Sequence, residues 1–453
     1  MNTAFPIHKP AVTSRIARAQ PPHILWIILI AFIARAGAMV LFQTYVIPAD
    51  RDHWTFAYET GRIARSIVLG HGYASPLPEP TGPTGSLPPA YPFLLALIFR
   101  VFGIYTTAAA CAVYLLQTSF SVLSSVAIWK LGVRVFGPWI GWLSALAYAV
   151  YPPAIWHSIS TIWNTSLLTF GFLLLVTYLY DLPTRPRAAQ MICAGLLMGS
   201  LLLVDAAPGV VYPAIAVWLW KRIQPSVRLN RLAIACAVCG ITLLPWMIRN
   251  AIVMRQFMPR TIAGMALRVG NSEGAWRAGE GRFDASLHAA DSPVEFERYK
   301  RLGEAGYERW SREIAIQQIR QNPSRFAVMT WRRVFAWWFG QSNEWAGNLH
   351  TAARGLGLVK RAMVVLPLPF LLFGMIRSRR SEKPAGLLVA ILLLYPIPYY
   401  FLFVNERYRF PTDGFMILIA VYGAAELLRI FRERGTDSTR VVDAAPRKLP
   451  AGA

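Results

Sequence analysis

Charge is scarce in this sequence, and negative charge is the scarcer sign. Asp, Glu, Lys and Arg make up 15% of the 453 residues, against about 25% in an ordinary soluble protein. Acidic residues number 23 against 46 Lys and Arg, a formal charge of +23. Such an excess would suit nucleic acid if the basic residues formed a patch or stripe. They fall between apolar runs instead, which argues against a nucleic-acid partner. Cysteine is rarer still. Cys111, Cys193, Cys236 and Cys239 all lie inside apolar runs, so a disulfide framework of the secreted type is excluded, and the lone C-x-x-C of the last two reads as structural. The glycines of GHGY and TGPTG are followed by no Gly-Lys-Ser/Thr, so there is no phosphate loop. His53, His71 and His157 show no zinc spacing, and no internal repeat is evident.

Apolar residues are what the chain has, at 55%, in runs long enough for a bilayer core of roughly 30 Å. The spans expected are 24–47, 107–129, 135–155, 163–180, 188–206, 208–220, 232–253, 358–376, 384–404 and 411–430. The first run follows His8, Lys9, Arg15 and Arg18. It is too long for a signal-peptide core, so it is expected to be retained. With the N-terminus inside, every inner junction is basic, as the positive-inside rule asks: Lys130 and Arg134, Arg185 and Arg187, Lys221 to Arg231, Arg377 to Lys383, and Arg429 to Arg434. The chain therefore reads as an all-α polytopic protein of a bacterial-type cytoplasmic membrane, with about ten spans and both termini cytoplasmic. Segment 89–103 would be roughly 22 Å long as a helix. Counting it would put Lys130 and Arg134 outside, so it is expected to be an interfacial or re-entrant helix on the outer side, with a short true span as the alternative.

This topology divides the sequence into a transmembrane module (1–253, with an outer loop at 48–106), an outer interfacial segment (254–357), C-terminal spans (358–431) and a disordered cytoplasmic tail (432–453). In the outer segment, Ser292 with Pro293 and Glu295 predicts a capped helix start. FAVMTWRRVFAWWFG at 326–340 predicts an interfacial helix.

The outer loop opens with Asp50, Arg51, Asp52 and His53 at the water boundary, a sound position for a general base, although such acids also merely end a helix in water. Glu59 lies seven residues after Asp52, about two helical turns. Paired acids of this kind divide acid and base roles or hold a divalent cation. The sequence does not decide whether a metal binds. At the far end, Arg407 and Arg409 stand on the outer side, against the positive-inside trend. Guanidinium groups bind phosphate bidentately, and two beside a membrane suit a lipid phosphate, or else an ion pair with Glu406. Arg35, in mid-span, is expected to pair with a polar neighbour inside the bundle. Asp205, just before Pro208, is placed to line the same outer cavity or to cap the helix break.

Together these stretches resemble the GT-C membrane glycosyltransferases, in particular the group related to protein O-mannosyltransferases and lipid A aminoarabinose transferases. The matching elements are Asp52, YETGRIARSIVLGHGY (58–73), PPAYPFLLALIFRVFG (88–103), PWMIRN (245–250), NPSRF (322–326) and RYRFP (407–411). The resemblance implies a transferase that takes a sugar from a polyprenyl-phosphate donor and delivers it to a glycan, lipid or protein acceptor outside the cytoplasmic membrane. Soluble nucleotide sugars are confined to the cytoplasm, so an outward-facing site needs a lipid-linked donor. On this likeness Asp52 is the base, with Asp50 and Glu59 as second candidates for base or metal ligand. Arg407 and Arg409 hold the donor phosphate, and Tyr91 and Tyr408 shape the cavity. The sequence departs from the group at Trp163-Asn164-Thr165, where an acidic residue often stands. The rival readings are a transporter or flippase of an anionic lipid-linked glycan, an envelope scaffold, and a ligase using a polyprenyl diphosphate.

Overall fold

The computed structural model describes residues 21–47, 56–279, 281–341, 361–380 and 385–443. Among them there is no β-strand, only an isolated bridge between Ala74 and Pro83. Among the described residues five helices are long and apolar enough to cross a membrane: Ile24–Leu41 (α1), Thr107–Val135, Pro225–Met254, Arg361–Arg379 and Glu406–Glu433. The other expected spans form shorter apolar helices, and proline interrupts several of them. The run at 135–155 divides into Pro138–Ala149 and Pro152–Ile159, and the run at 384–404 into Gly386–Leu394 and Ile397–Phe401. Proline lacks the N–H that would continue the ladder. Segment 89–103 holds a helix of 13 residues, Ala90–Phe102, about 20 Å long, with one side buried and Phe93, Leu97, Val101 and Phe102 exposed. At the far end, helix continues to Asp443, beyond Gly435, where a disordered tail was expected; a single glycine costs only about 1 kcal/mol in a helix that is already propagating.

In chain order the next helices are α2 (Glu59–Val68), α3 (Ala90–Phe102), α4 (Thr107–Val135), α5 (Pro138–Ala149), α6 (Pro152–Ile159), α7 (Thr165–Asp181), α8 (Ala188–Val204), α9 (Tyr212–Arg222) and α10 (Pro225–Met254). They are followed by α11 (Ala263–Asn271), α12 (Glu273–Ala278), α13 (Pro293–Gln321), α14 (Pro323–Phe339), α15 (Leu368–Arg380), α16 (Gly386–Leu394), α17 (Ile397–Phe401) and α18 (Glu406–Asp443). One apolar core joins α1, α4, α5, α7 to α9, α16 and α18. Small residues let these helices approach. A Cβ on Gly132 of α4 would meet the backbone of Gly141 on α5, and Gly374 of α15 lies against Gly423 of α18, as is usual where lipid supplies no hydrophobic driving force.

Arg35 is fully buried in this core, and the broken helix explains why. Pro152 and Pro153 cannot donate to the carbonyls of Tyr148 and Ala149; the first still accepts from the Tyr151 N–H at 3.2 Å, and the second would otherwise be orphaned at the end of α5. Arg35 donates to both, at 3.5 and 2.8 Å, and to Ser121 Oγ at 2.8 Å. The mid-span charge thus closes a helix end, as interior pairing predicted.

The segment from 259 to 321 is pinned by three buried glutamates. Glu295 takes a bidentate bond from Arg268 (2.7 and 2.9 Å) and one from the Tyr307 hydroxyl (2.8 Å). Ser292 caps α13 as expected, but Glu295 turns to Arg268 instead of completing the box. Glu304 accepts from the Gly85 amide (2.8 Å), Thr84 Oγ1 (2.5 Å), Tyr299 (2.9 Å) and Thr261, tying α13 to the loop between α2 and α3. Glu308 accepts from the amides of Gly264 and Met265. Burial pushes its carboxyl up to about 8 from the ordinary 4.5, against the opposing pull of those amides. An acid with a raised folded-state pKa binds more protons folded than unfolded, so its contribution to stability falls as pH rises from about 4.5 to about 8. Thermal unfolding followed across that range should show this decline, and Glu308→Gln should flatten it. An unchanged slope in the variant would assign the dependence to another group.

Candidate active site

A cavity of about 470 Å³ opens where residues from the N-terminal and C-terminal halves of the chain meet. Its walls come from the start of α2 (Ala57, Glu59), the start of α3 (Pro88, Tyr91), the 163–165 turn, the end of α8 (Asp205), the 258–269 segment, His288, α17 and the 402–411 stretch. It is lined mostly by apolar and aromatic side chains with a few polar groups, the usual make-up of a small-molecule site.

Arg407 is the central polar group. Its guanidinium lies 3.9 Å from the centre of the Trp163 ring and donates to the Tyr408 hydroxyl at 3.0 Å, and Asn405 Oδ1 holds its backbone N–H at 3.0 Å. Its Nε is buried without a hydrogen-bond partner. Tyr408 is itself stacked on Tyr399 at 4.8 Å. Arg260, on the facing segment, donates from Nε to the Ser86 carbonyl at 3.0 Å. Among the described residues neither arginine is in an ion pair. Glu59 and Asp205 act on Arg407 across the cavity without pairing with it, and a cation held over an aromatic face with no direct salt bridge is a site prepared for an anion.

Arg409 is placed differently. Successive helical residues turn by about 100°, so positions two apart face nearly opposite ways. Arg409 points into a separate small pocket beside His157 and Gln341. Its Nε lies 3.1 Å from Asp413 Oδ1, and both side chains are at most 10% exposed. Its charge is matched within the protein.

Two carboxylates of the described residues face the cavity. Glu59 Oε1 lies 3.6 Å from His288 Nε2. His288 Nδ1 accepts from the Ala290 amide at 3.2 Å, so the neutral ring carries its proton on Nε2, toward Glu59. Tyr58 donates to Asp291 at 2.8 Å, and burial together with that bond pushes its phenol upward. Asp205 both lines the cavity and caps its helix break: Oδ1 accepts from the Ala207 amide at 2.9 Å and Oδ2 from Asn164 Nδ2 at 3.2 Å. A carboxylate therefore stands beside Asn164, where the sequence has no acid. Asp50 and Asp52 lie outside the described residues. Ala57 and Tyr58 adopt positive φ of 61° and 53°, and α2 begins at Glu59. Among the described residues no group of three His, Cys, Asp or Glu is arranged to hold a metal; Glu59 is the one candidate ligand that falls among them.

Gln117 on α4 holds the wall together. Its Oε1 accepts from the Tyr91 hydroxyl (2.9 Å) and the Trp163 amide (3.0 Å), and its Nε2 donates to the Ser158 and Thr161 carbonyls. Tyr91 thus reaches Arg407 through Gln117 and Trp163. The PWMIRN stretch frames the rim. Arg249 donates to the carbonyls of Tyr73 (3.0 Å) and Thr84, Trp246 to that of Pro259 (2.9 Å), and Asn250 to that of Met258 (2.9 Å). Gln117, Asp205 as a partner of Asn164, Arg260 and His288 were not singled out from the sequence as a site. A polar Gln in mid-span was the available signal for the first.

No protein-family model matches the chain, and no curated protein matches it by sequence. Among solved structures it is similar to the archaeal oligosaccharyltransferase AglB from Archaeoglobus fulgidus, in complex with an inhibitory peptide and a dolichol-phosphate. The TM-score is 0.50 at 12% identity over 94% of this chain and 52% of that one. ArnT from Cupriavidus metallidurans bound to undecaprenyl phosphate also aligns, with a TM-score of 0.40 at 14% identity over 95% of this chain and 82% of that one. The chain spans about half the length of the AglB structure it matches. The fold is that of the GT-C membrane glycosyltransferases, and the chain is a multi-pass membrane protein.

Proposed function

We propose that the protein is a membrane glycosyltransferase. It moves a sugar from a polyprenyl-phosphate donor to an acceptor hydroxyl at the outer face of the cytoplasmic membrane. The observation that carries this reading is Arg407: a guanidinium held over Trp163 in a largely apolar cavity, with no carboxylate paired to it among the described residues. A lipid phosphate supplies the missing charge. The dolichol-phosphate in the AglB complex belongs to that chemical class.

In the reaction, Asp52 takes the proton of the acceptor hydroxyl as that oxygen bonds to the anomeric carbon. The bond from that carbon to the phosphate oxygen breaks, and the electron pair leaves with the lipid phosphate. Arg407 steadies the charge as it develops, which a prearranged donor does without reorganisation. Arg260 faces the same cavity and is placed to share the task, whereas Arg409, matched by Asp413, serves the packing of α18. The aromatic wall of Tyr399, Phe403 and Tyr408 suits the apolar face of a sugar or the first isoprene units.

Mass spectrometry of membrane lipids tests the reading. A strain lacking the gene should accumulate a polyprenyl monophosphate sugar, and the native chain should clear it. A lipid pool that is the same in both strains, with no second enzyme consuming the donor, would sink the transferase and favour a transporter. Accumulation of a diphosphate-linked glycan would make the protein a ligase.

A further inference from the structure

A second concave surface of about 630 Å³ lies on the opposite face of α14, lined by Trp276, Arg277, Trp331, Arg332, Phe335 and Arg361, among others. It shares no lining residue with the main cavity. The inner face of α14 carries Trp337, stacked on Tyr399 at 5.4 Å. Its outer face leaves Trp331 68% and Phe335 46% exposed. Three cations converge here. Arg332 lies 4.2 Å from the centre of the Trp276 ring, and Arg277 has only a loose, exposed pair with Glu273 at 3.4 Å. Arg361 is in no ion pair among the described residues.

The depth of this groove follows from the helices. Arg361 lies on the span Arg361–Arg379. That span runs parallel to α18, since Val364 shares a pocket with Arg409 while Arg377 bonds Glu426 at 3.0 Å. Arg361 therefore stands at the end of the bundle where the main cavity opens, at the boundary of the hydrocarbon. Exposed Trp and Phe next to Arg at that depth match the composition of the head-group layer.

We propose that this groove binds an anionic phospholipid of the membrane. Its phosphate sits among Arg277, Arg332 and Arg361, and its acyl chains lie along Trp331 and Phe335. Guanidinium groups suit phosphate oxygens, and basic pockets at membrane depth take anionic head groups. The site is separate from that of the donor and does not depend on the transferase reading.

Native mass spectrometry of the detergent-solubilised full-length protein tests this. On titration with dioleoyl phosphatidylglycerol, the native protein should retain one lipid that dioleoyl phosphatidylcholine does not replace. R277Q/R332Q/R361Q should weaken that retention by about a hundredfold, roughly fivefold for each arginine near an anionic surface. W331A, which removes an exposed ring and no charge, should also weaken it. R407Q, in the main cavity, should leave it unchanged. Equal retention of the two lipids, or retention indifferent to both groove variants, overturns the proposal. So does displacement of the lipid by millimolar inorganic phosphate, which would make the groove a site for free anions.

Discussion

Asp52→Asn should lower the rate of sugar transfer by about 10²–10⁴-fold, the usual contribution of a positioned general base. Donor binding should stay near the native level, because the exchange removes a proton acceptor and little volume. Loss in turnover with binding preserved marks an interaction made only in the transition state. Single-turnover assays on a lipid-linked donor would measure it, with Asp50→Asn and Glu59→Gln alongside. Ala57 and Glu59, the described residues that follow, line the cavity. Glu59 already faces His288 at 3.6 Å, and its exchange should cost less than that of Asp52. Native turnover in Asp52→Asn with a dead Asp50→Asn would move the role two residues back.

Arg407→Gln should reduce transfer by about 10²–10³-fold, comparable to removing one prearranged donor from an oxyanion site. Arg407→Lys should recover only part of the loss, since an ammonium neither forks around a phosphate nor stacks on Trp163 as a guanidinium does. Arg409→Gln should behave otherwise. It strands Asp413 in the bundle without its partner, and removing one member of a buried pair costs about 3–5 kcal/mol. The amount of folded protein recovered should therefore fall. Measuring both quantities for both variants separates the roles. An Arg407→Gln protein that transfers at the native rate would remove the donor phosphate from this side chain.

The contrast between these two arginines shows what the sequence could and could not convey. Apolar runs and basic junctions carry membrane architecture directly, because bilayer thickness fixes the length of a span. The helix over 326–340, the half-length helix after Pro89 and the interior pairing of Arg35 were legible too. The motifs at 88–103, 245–250 and 407–411 pointed to the fold that the comparison with AglB shows. Arg407 and Arg409 were indistinguishable as letters. They part only when helical rotation sends one over Trp163 and the other to Asp413. Asp205 beside Asn164 was equally hidden, since the two residues come from different helices and only packing brings them within 3.2 Å. Period-based reasoning is also blind to where a helix starts: positive φ at Ala57 and Tyr58 puts the beginning of α2 at Glu59.

Gln117 has a bearing on how the protein is made. It ties Tyr91 to Trp163, so that wall of the cavity is complete once the first half of the chain is in the membrane. The guanidinium that rests on Trp163 belongs to the final span. A chain that still lacks α18 therefore carries this one wall without the guanidinium that rests on it. On the proposed reading, a donor phosphate is held only once α18 has joined that wall, so a fragment that stops short of α18 should bind none.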